Sequence, residues 1–464
     1  MPSPTPSPSP SSAPRPALPL RTHVLHKALR DSPTPSLVLD RAVLRRNCAA
    51  MLSVCGALGV GLRAHVKSHK TLELSKMMVG RTGPADFVVS TVVEGEGLCE
   101  FVREVQRAGR EGSILYGVPV PLSSVPRLIA LAERLQPGTL HVIIDNEDAF
   151  AQFHAALVLS GKDVKIGVFI KIDTGYHRAG IAITSPRFPG LVGSVVEKSK
   201  EGKTFLKGFY SHFGHSYAGN SEEDAANGLI EELVGLAAAI AAMPGDREQQ
   251  LVLSVGATPT ATAAQNMLAD TSSPKVKEFH DILGQLQKEH VVELHAGVYP
   301  LLDCQQIATH ARPAYGQANP TFQPLSKENI AIKMLVEVTS VYDEREKPEA
   351  LVSAGSLAMG REPCKSYPGW GIVSKAFGNK EAQSIYDERG DKTGWIVGRI
   401  SQEHGILTWE GERTKCNPLT VGEKLLIWPN HACVTGAGFG WYLIIDSEKG
   451  QETVVDVWDR WGGW

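Results

Sequence analysis

Lys67 lies in the run Leu62-Arg63-Ala64-His65-Val66-Lys67-Ser68-His69-Lys70, where an apolar, strand-like approach gives way to the helical pattern Leu72, Leu74, Met77, Met78. An amine crowded by Arg63, His65, His69 and Lys70 sheds its proton more readily. That exposes a nucleophile able to hold an aldehyde as a Schiff base. The same composition also reads as a solvated basic loop. A second segment, Ser254-Val255-Gly256-Ala257-Thr258-Pro259-Thr260, carries the parts of a phosphate site. Gly256 allows close backbone approach, Thr258 offers a hydroxyl, and Pro259 suits the first turn of a helix whose free N–H groups attract anions. An ordinary capped helix uses the same residues. In Lys171-Ile172-Asp173-Thr174-Gly175-Tyr176-His177-Arg178-Ala179-Gly180, Arg178 either meets an anionic oxygen or a ring face, or pairs with Asp173 to brace a glycine-rich turn. Tyr210, His212, His215 and Tyr217 are polar and aromatic where a barrel would open, and the two phenols suit hydrogen bonds to a cofactor ring or phosphate, with plain packing as the other reading of Tyr210. Near the far end, His431-Ala432-Cys433 puts an imidazole and a thiol at i and i+2, which face the same way in an extended segment. Both are favoured zinc ligands, and a two-ligand site leaves positions for water or substrate. Alone, H-x-C carries little information.

These groups need elements to position them. Short apolar strands recur at Leu62–Lys67, Phe87–Thr91, Ser113–Val118, His141–Asp145, Ile166–Asp173, Leu206–His212, Leu251–Ala257 and Val292–Gly297. Helix-like stretches lie between them, near 69–79, 94–108, 122–136, 146–160, 186–200, 222–243 and 259–288. Eight such strands predict a (β/α)8 TIM-type barrel, with a doubly wound open sheet as the competing architecture. Lys67, Asp173, His212, Gly256 and His295 then fall at strand C-terminal ends, where barrels place their chemistry. Beyond residue 325 short alternating runs broken by Gly, Asn and Pro predict an all-β domain, with 366–392 as a long loop. The organisation expected is therefore a disordered Pro/Ser-rich tail (1–21), a segment 22–40 whose strand Ser36–Asp40 joins the β-domain, a barrel (41–325) and a C-terminal β-domain (326–464).

Composition excludes several classes. The 47 basic and 50 acidic residues nearly balance, so no polycationic surface points to nucleic acid. No apolar run of about 18 residues suggests a membrane span. Seven scattered cysteines, an odd number, suit free thiols in a reducing compartment, and a cytoplasmic location is expected.

Taken together, the lysine segment, Lys171–Gly180, Tyr210-Ser211-His212-Phe213-Gly214-His215, Ser254–Thr260, His295-Ala296-Gly297-Val298-Tyr299 and His431-Ala432-Cys433 resemble the eukaryotic, fungal-type D-serine dehydratases. These are pyridoxal-phosphate enzymes of the alanine-racemase fold (fold type III), alongside D-threonine aldolase. The resemblance covers roughly residues 22–464. It implies that Lys67 carries pyridoxal phosphate and acts as catalytic base. Arg178, Tyr210, Tyr217, Gly256 and Thr258 would contact the cofactor. His431 and Cys433 would bind Zn2+, since aldolase relatives usually carry Asp where Cys433 stands. A D-amino acid substrate, α,β-elimination of D-serine to pyruvate and ammonia, activity on D-threonine and a homodimer are further implications. A D-threonine aldolase, an amino-acid racemase and a non-catalytic pyridoxal-phosphate protein are the alternatives. One departure is Ala64, where many relatives have proline.

Overall fold

The computed structural model describes residues 17–244, 250–268, 272–377, 384–449 and 451–464. Strand β1 (Ser36–Asp40) precedes eight strands that close into a parallel barrel. These are β2 (Gly61–His65), β3 (Ala85–Val89), β4 (Gly112–Pro119), β5 (Leu140–Ile144), β6 (Ile166–Lys171), β7 (Thr204–Tyr210), β8 (Val252–Val255) and β9 (Val291–Ala296). The ring shuts where β2 pairs with β9, Arg63 opposite His295 and Ala64 opposite Ala296. The crossover segments include amphipathic helices. Helix Val92–Arg107 starts at Thr91, whose hydroxyl accepts from Glu94 N, and buries Leu98, Cys99, Val102 and Val105. Each such side chain contributes about 1.5–3 kcal/mol on leaving water.

Inside the barrel the side chains stack in layers. Val88, Leu115, Ile143, Phe169, Tyr210 and Val252 form an apolar middle layer. Below it the Arg63 guanidinium is buried and doubly bonded to Glu293 (Nε–Oε1 2.5 Å, Nη2–Oε2 3.0 Å), with Nη1 donating to Ser113 Oγ at 2.9 Å. Above it lie the strand ends that carry the site.

The second unit is one nine-stranded sheet. It adds β10 (Ile332–Tyr342), β11 (Glu349–Val352), β12 (Gly371–Ala376), β13 (Gly394–Ile400), β14 (Gly405–Glu410), β15 (Lys424–Pro429), β16 (Trp441–Asp446) and β17 (Gln451–Asp459) to β1. The order is β11-β14-β13-β12-β15-β10-β1-β16-β17, with β11 also pairing to β10. β1 lies between β10 and β16, and Asp40 at its end caps the barrel helix Arg41–Leu58 by accepting from Ala42 N at 3.0 Å. One residue thus ends a strand of the sheet and starts a helix of the barrel.

Three expectations need correction. The stretch 366–392 is not one loop: Gly371–Ala376 is a central strand between β13 and β15. Its only strong strand formers are Ile372 and Val373, so neighbouring strands supply the order that local propensity lacks. Residues 17–24, partly assigned to the tail, are helical, while 1–16 lie outside the described residues, as do 378–383. The expected helix 259–288 is two, Thr258–Ala263 with a 3-10 extension to Leu268, and Pro274–Leu286. Among the described residues no helix is long and apolar enough to cross a membrane. All seven cysteines are free.

Candidate active site

A cavity of about 360 Å3 opens at the C-terminal ends of the barrel strands and is closed on one side by the β-sheet unit. Lys67, Arg178, His212, Tyr217, Thr258 and His295 line it from the barrel. His431 and Cys433 line it from the segment after β15. Lys67 is not the last strand residue. It sits in the 3-10 turn Val66–Ser68, which begins where His65 Nδ1 accepts the Lys67 N–H at 3.4 Å.

The cationic crowding expected around Lys67 is absent. Arg63 points to the barrel floor and is neutralised by Glu293. Lys70 pairs with the buried Glu94 at 3.1 Å. Burial, aided by Arg460, drives the His69 imidazole down to about 3, so it is neutral. His65 is held well below the ordinary imidazole range, by burial first and then by the charge of Lys67. Sequence proximity misled because alternate residues of β2 point to different layers. The cations that do share space with Lys67 come from the fifth barrel strand. Lys171, Arg178, Tyr210, His65 and His212 surround a second chamber of about 360 Å3 that shares Lys67 with the first. Burial, then the charge of Arg178 and also Lys67, brings the Lys171 amine down to about 8, against Asp145 and Asp173. Sequence reasoning missed Lys171 as a site residue. Its signal was a charge at the end of the apolar run Ile166–Ile170.

Arg178 does not pair with Asp173. Asp173 caps its own turn, accepting from the N–H of Gly175 and His177 at 3.0 Å each and facing His177 Nδ1 at 2.8 Å. The guanidinium instead stacks over Tyr176 at 5.0 Å. His212 and His295 are neutral, burial being the main cause for both. Since His212 Nδ1 faces the Gly256 carbonyl at 3.0 Å, it must donate there, which leaves Nε2 as an acceptor. His295 Nδ1 meets Ser254 Oγ at 3.0 Å, and its buried Nε2 has no hydrogen-bond partner among the described residues. Tyr210 is buried beneath the cavity and stacks on His295 at 4.1 Å, so it supports the imidazole layer from the middle of the barrel.

At the end of β8, Gly256 has φ +135°, and a Cβ there would come within 2.5 Å of the His295 carbonyl. Its N–H is committed to Glu232 at 3.0 Å. Glu232 is fully buried and also accepts from Ser211 Oγ and Thr260 Oγ1, each at 3.1 Å. Burial raises its carboxyl to about 7 against those three donors. A charge inside the apolar face Leu229, Leu233, Leu236 is the sequence signal for this hub. Thr258 turns its hydroxyl to the Val298 N–H at 3.2 Å and lies against the Tyr217 phenol.

His431 and Cys433 converge, though not as an extended pair. His431 is the cap of the short helix Ala432–Thr435, and Cys433 is its second residue. Asp303, buried, holds that turn by accepting from Ala432 N at 2.8 Å. Burial alone would push the imidazole down, yet hydrogen bonding to Cys433, with the charges of Cys433, Asp303 and Glu362, raises it to about 9. Burial likewise opposes ionisation of Cys433, but His431 and Lys67 together pull the thiol below its ordinary range. Cys433 Sγ lies 3.2 Å from Ser68 Oγ, next door to Lys67. Among the described residues no third His, Cys, Asp or Glu completes a metal cluster. His431 Nδ1 is nevertheless buried without a hydrogen-bond partner among the described residues, so an imidazole and a thiol face one cavity as the donor types a soft divalent ion takes once both are deprotonated.

Residues 39–274 match the family model of the alanine racemase N-terminal domain, and 331–445 that of the putative serine dehydratase domain. The chain is 35% identical to the D-serine dehydratase of Schizosaccharomyces pombe, covering 96% of this chain and 95% of that one. It is 31% identical to the Saccharomyces cerevisiae enzyme of the same name, over 94% and 97%. Among solved structures, a cysteine-to-alanine mutant of D-threo-3-hydroxyaspartate dehydratase in the metal-free form superposes with a TM-score of 0.69 at 26% identity, covering 94% of this chain and all of that one. Another structure of that enzyme, from Delftia sp. HT23, matches with the same score. Barrel, sheet and full-length likeness agree: the chain belongs to the D-serine dehydratase family of the alanine-racemase fold.

Proposed function

We propose that this chain is a pyridoxal-phosphate- and zinc-dependent D-serine dehydratase, converting D-serine to pyruvate and ammonia and taking D-threonine by the same route. One observation carries the reading. A lysine beside the first barrel strand and an imidazole–thiol pair from the β-sheet unit face a single cavity, linked by the 3.2 Å contact from Cys433 to Ser68. The fungal relatives carry the name of this activity, and a cysteine mutant of a related dehydratase is described as metal-free.

The residues present fit both groups. Lys67 would hold the cofactor aldehyde. Arg178, His212, Thr258 and Tyr217 offer cations, a lone pair and hydroxyls around it, and His295 Nε2 is an open buried nitrogen. Gly256 contributes close backbone packing, because its N–H is already taken by Glu232. When bound, pyridoxal phosphate supplies an electron sink for the Cα carbanion, and zinc on His431 and Cys433 a Lewis acid for the β-hydroxyl. The side chains do the rest. Lys67 takes the Cα proton, Lys171 and Arg178 attract the α-carboxylate, and the neutral imidazoles of His65, His212 and His295 surround the reacting atoms without adding charge. The β-hydroxyl leaves on the His431–Cys433 side, and the released enamine hydrolyses to keto acid and ammonia.

The test is purified protein with D- and L-serine, with and without a chelator, scored for pyruvate and, from D-threonine, for 2-oxobutanoate against acetaldehyde. Pyruvate from D-serine alone, lost on chelation and restored by zinc, is the expected result. Full activity after chelation ends the zinc assignment, and acetaldehyde as main product indicates an aldolase. The homodimer belongs to the same proposal and is read by sedimentation.

A further inference from the structure

We infer that Glu362 selects the substrate class, admitting D-amino acids with a neutral β-substituent and rejecting those with a β-carboxylate. This rests on the dehydratase reading above. The cavity has two walls of opposite charge. Lys67, Lys171 and Arg178 stand on the barrel side. On the other side are the Cys433 side chain, the buried Asp303, and Glu362, whose Oε2 is 3.7 Å from His431 Nδ1. The Glu362 main chain is fixed there. Its carbonyl accepts from Asn430 Nδ2 at 2.9 Å, and the next carbonyl, of Pro363, accepts from Gln305 Nε2 at 2.8 Å. The residue preceding His431 therefore anchors the Glu362 backbone, which places its half-exposed carboxylate beside the imidazole.

A substrate entering this field turns its α-carboxylate to the cationic wall, which sends the β-substituent towards His431, Cys433 and Glu362. Lys365 also lines the mouth, but its ammonium donates to the carbonyls of Gly219 and Tyr217 and is tied to the barrel. A divalent ion on the His431–Cys433 pair adds two positive charges; the thiolate, Asp303 and Glu362 together more than offset them. A neutral hydroxymethyl group loses nothing there, whereas a second carboxylate finds no net positive charge and lies beside a like charge. Removing Glu362 takes that corner back to balance and relaxes the preference.

The experiment measures equilibrium binding to the holoenzyme of D-alanine and D-aspartate, read from the cofactor absorbance. Neither ligand has a β-hydroxyl to lose, so the readout is independent of turnover. Wild type is expected to bind D-alanine more tightly, and Glu362→Gln to shift the ratio about tenfold towards D-aspartate, with Glu362→Asp staying near wild type. The inference is overturned if wild type shows no preference, if Glu362→Gln leaves the ratio unchanged, or if both ligands weaken together, as loss of a metal ligand or of the fold would cause. Metal content measured on the same samples identifies that last case. Wild type that binds both ligands yet releases no pyruvate from D-serine refutes the dehydratase reading instead.

Discussion

Two charged layers of one barrel, with an apolar layer between them, follow opposite rules. At the floor the Arg63 guanidinium loses its water to burial, but Glu293 and then Asp86 more than restore its charge, and Ser113 takes a further donor. At the mouth Lys67, Lys171 and Arg178 form no ion pair among the described residues, although they surround connected cavities. The residue types are similar and the backbone is the same set of strands. What differs is compensation. A paired charge only holds shape, while an unpaired charge beside a cavity is capacity to bind anions, maintained at a cost in stability.

The most severe way to separate the layers is to remove a reactive group from the mouth. Lys67→Ala should lower D-serine turnover roughly 10⁴-fold or more and abolish the absorbance of the bound cofactor, with little change in Tm. Turnover near wild type would remove Lys67 from the chemistry. At the floor the opposite split is expected. Glu293→Gln strands a buried guanidinium and should cost about 3–5 kcal/mol in urea unfolding. Such a loss without local disturbance at the mouth would show that the apolar layer insulates the two. A near-neutral result would mean that Asp86 suffices for Arg63.

The sequence made much of this legible, for identifiable reasons. Barrel strands are buried on both faces, so each reads as an apolar run that needs no partner to be noticed, and all eight were visible. Central strand β12 was not, because Gly371 to Ala376 owes its order to β13 and β15 rather than to its own residues. In the site, Lys67, Arg178, Thr258, His431 and Cys433 carry chemistry that their types announce, and they do line one cavity. Their surroundings could not be read in the same way. Which neighbours of Lys67 are neutralised depends on Glu293 and Glu94, far away or on another helix. The H-x-C pair converges through a helix cap rather than through strand alternation. Glu232 looked like any helical glutamate until its donors from two strand ends and a following helix came together.

Glu232 offers a test between the layers, since it is paired like the floor yet braces the mouth. Its folded carboxyl is raised to about 7 from an ordinary 4.5, so between those values the folded chain keeps a proton that the unfolded chain has released. Stability contributed by this group is therefore present at low pH and lost as pH rises from 4.5 towards 7, by up to about 3 kcal/mol. Urea unfolding should show wild type losing ground to Glu232→Gln between pH 5 and pH 7. Parallel pH dependences in the two proteins would show that Glu232 does not titrate in this window.

The smallest expected effect is the most selective. Lys171→Met keeps the length and apolar stem of the side chain and removes only a buried cation from the second chamber. Loss of that cation should raise KM for D-serine about tenfold, with a smaller change in kcat. Tm should hold or rise, since the charge was desolvated without a partner. The pH dependence supplies an independent check. Because Lys171 is brought down to about 8, wild type should lose substrate affinity as pH passes through 8, and Lys171→Met should lack that step. A variant that is destabilised, with KM unmoved, would place Lys171 with the structural charges of the floor and leave Arg178 as the carboxylate's main partner.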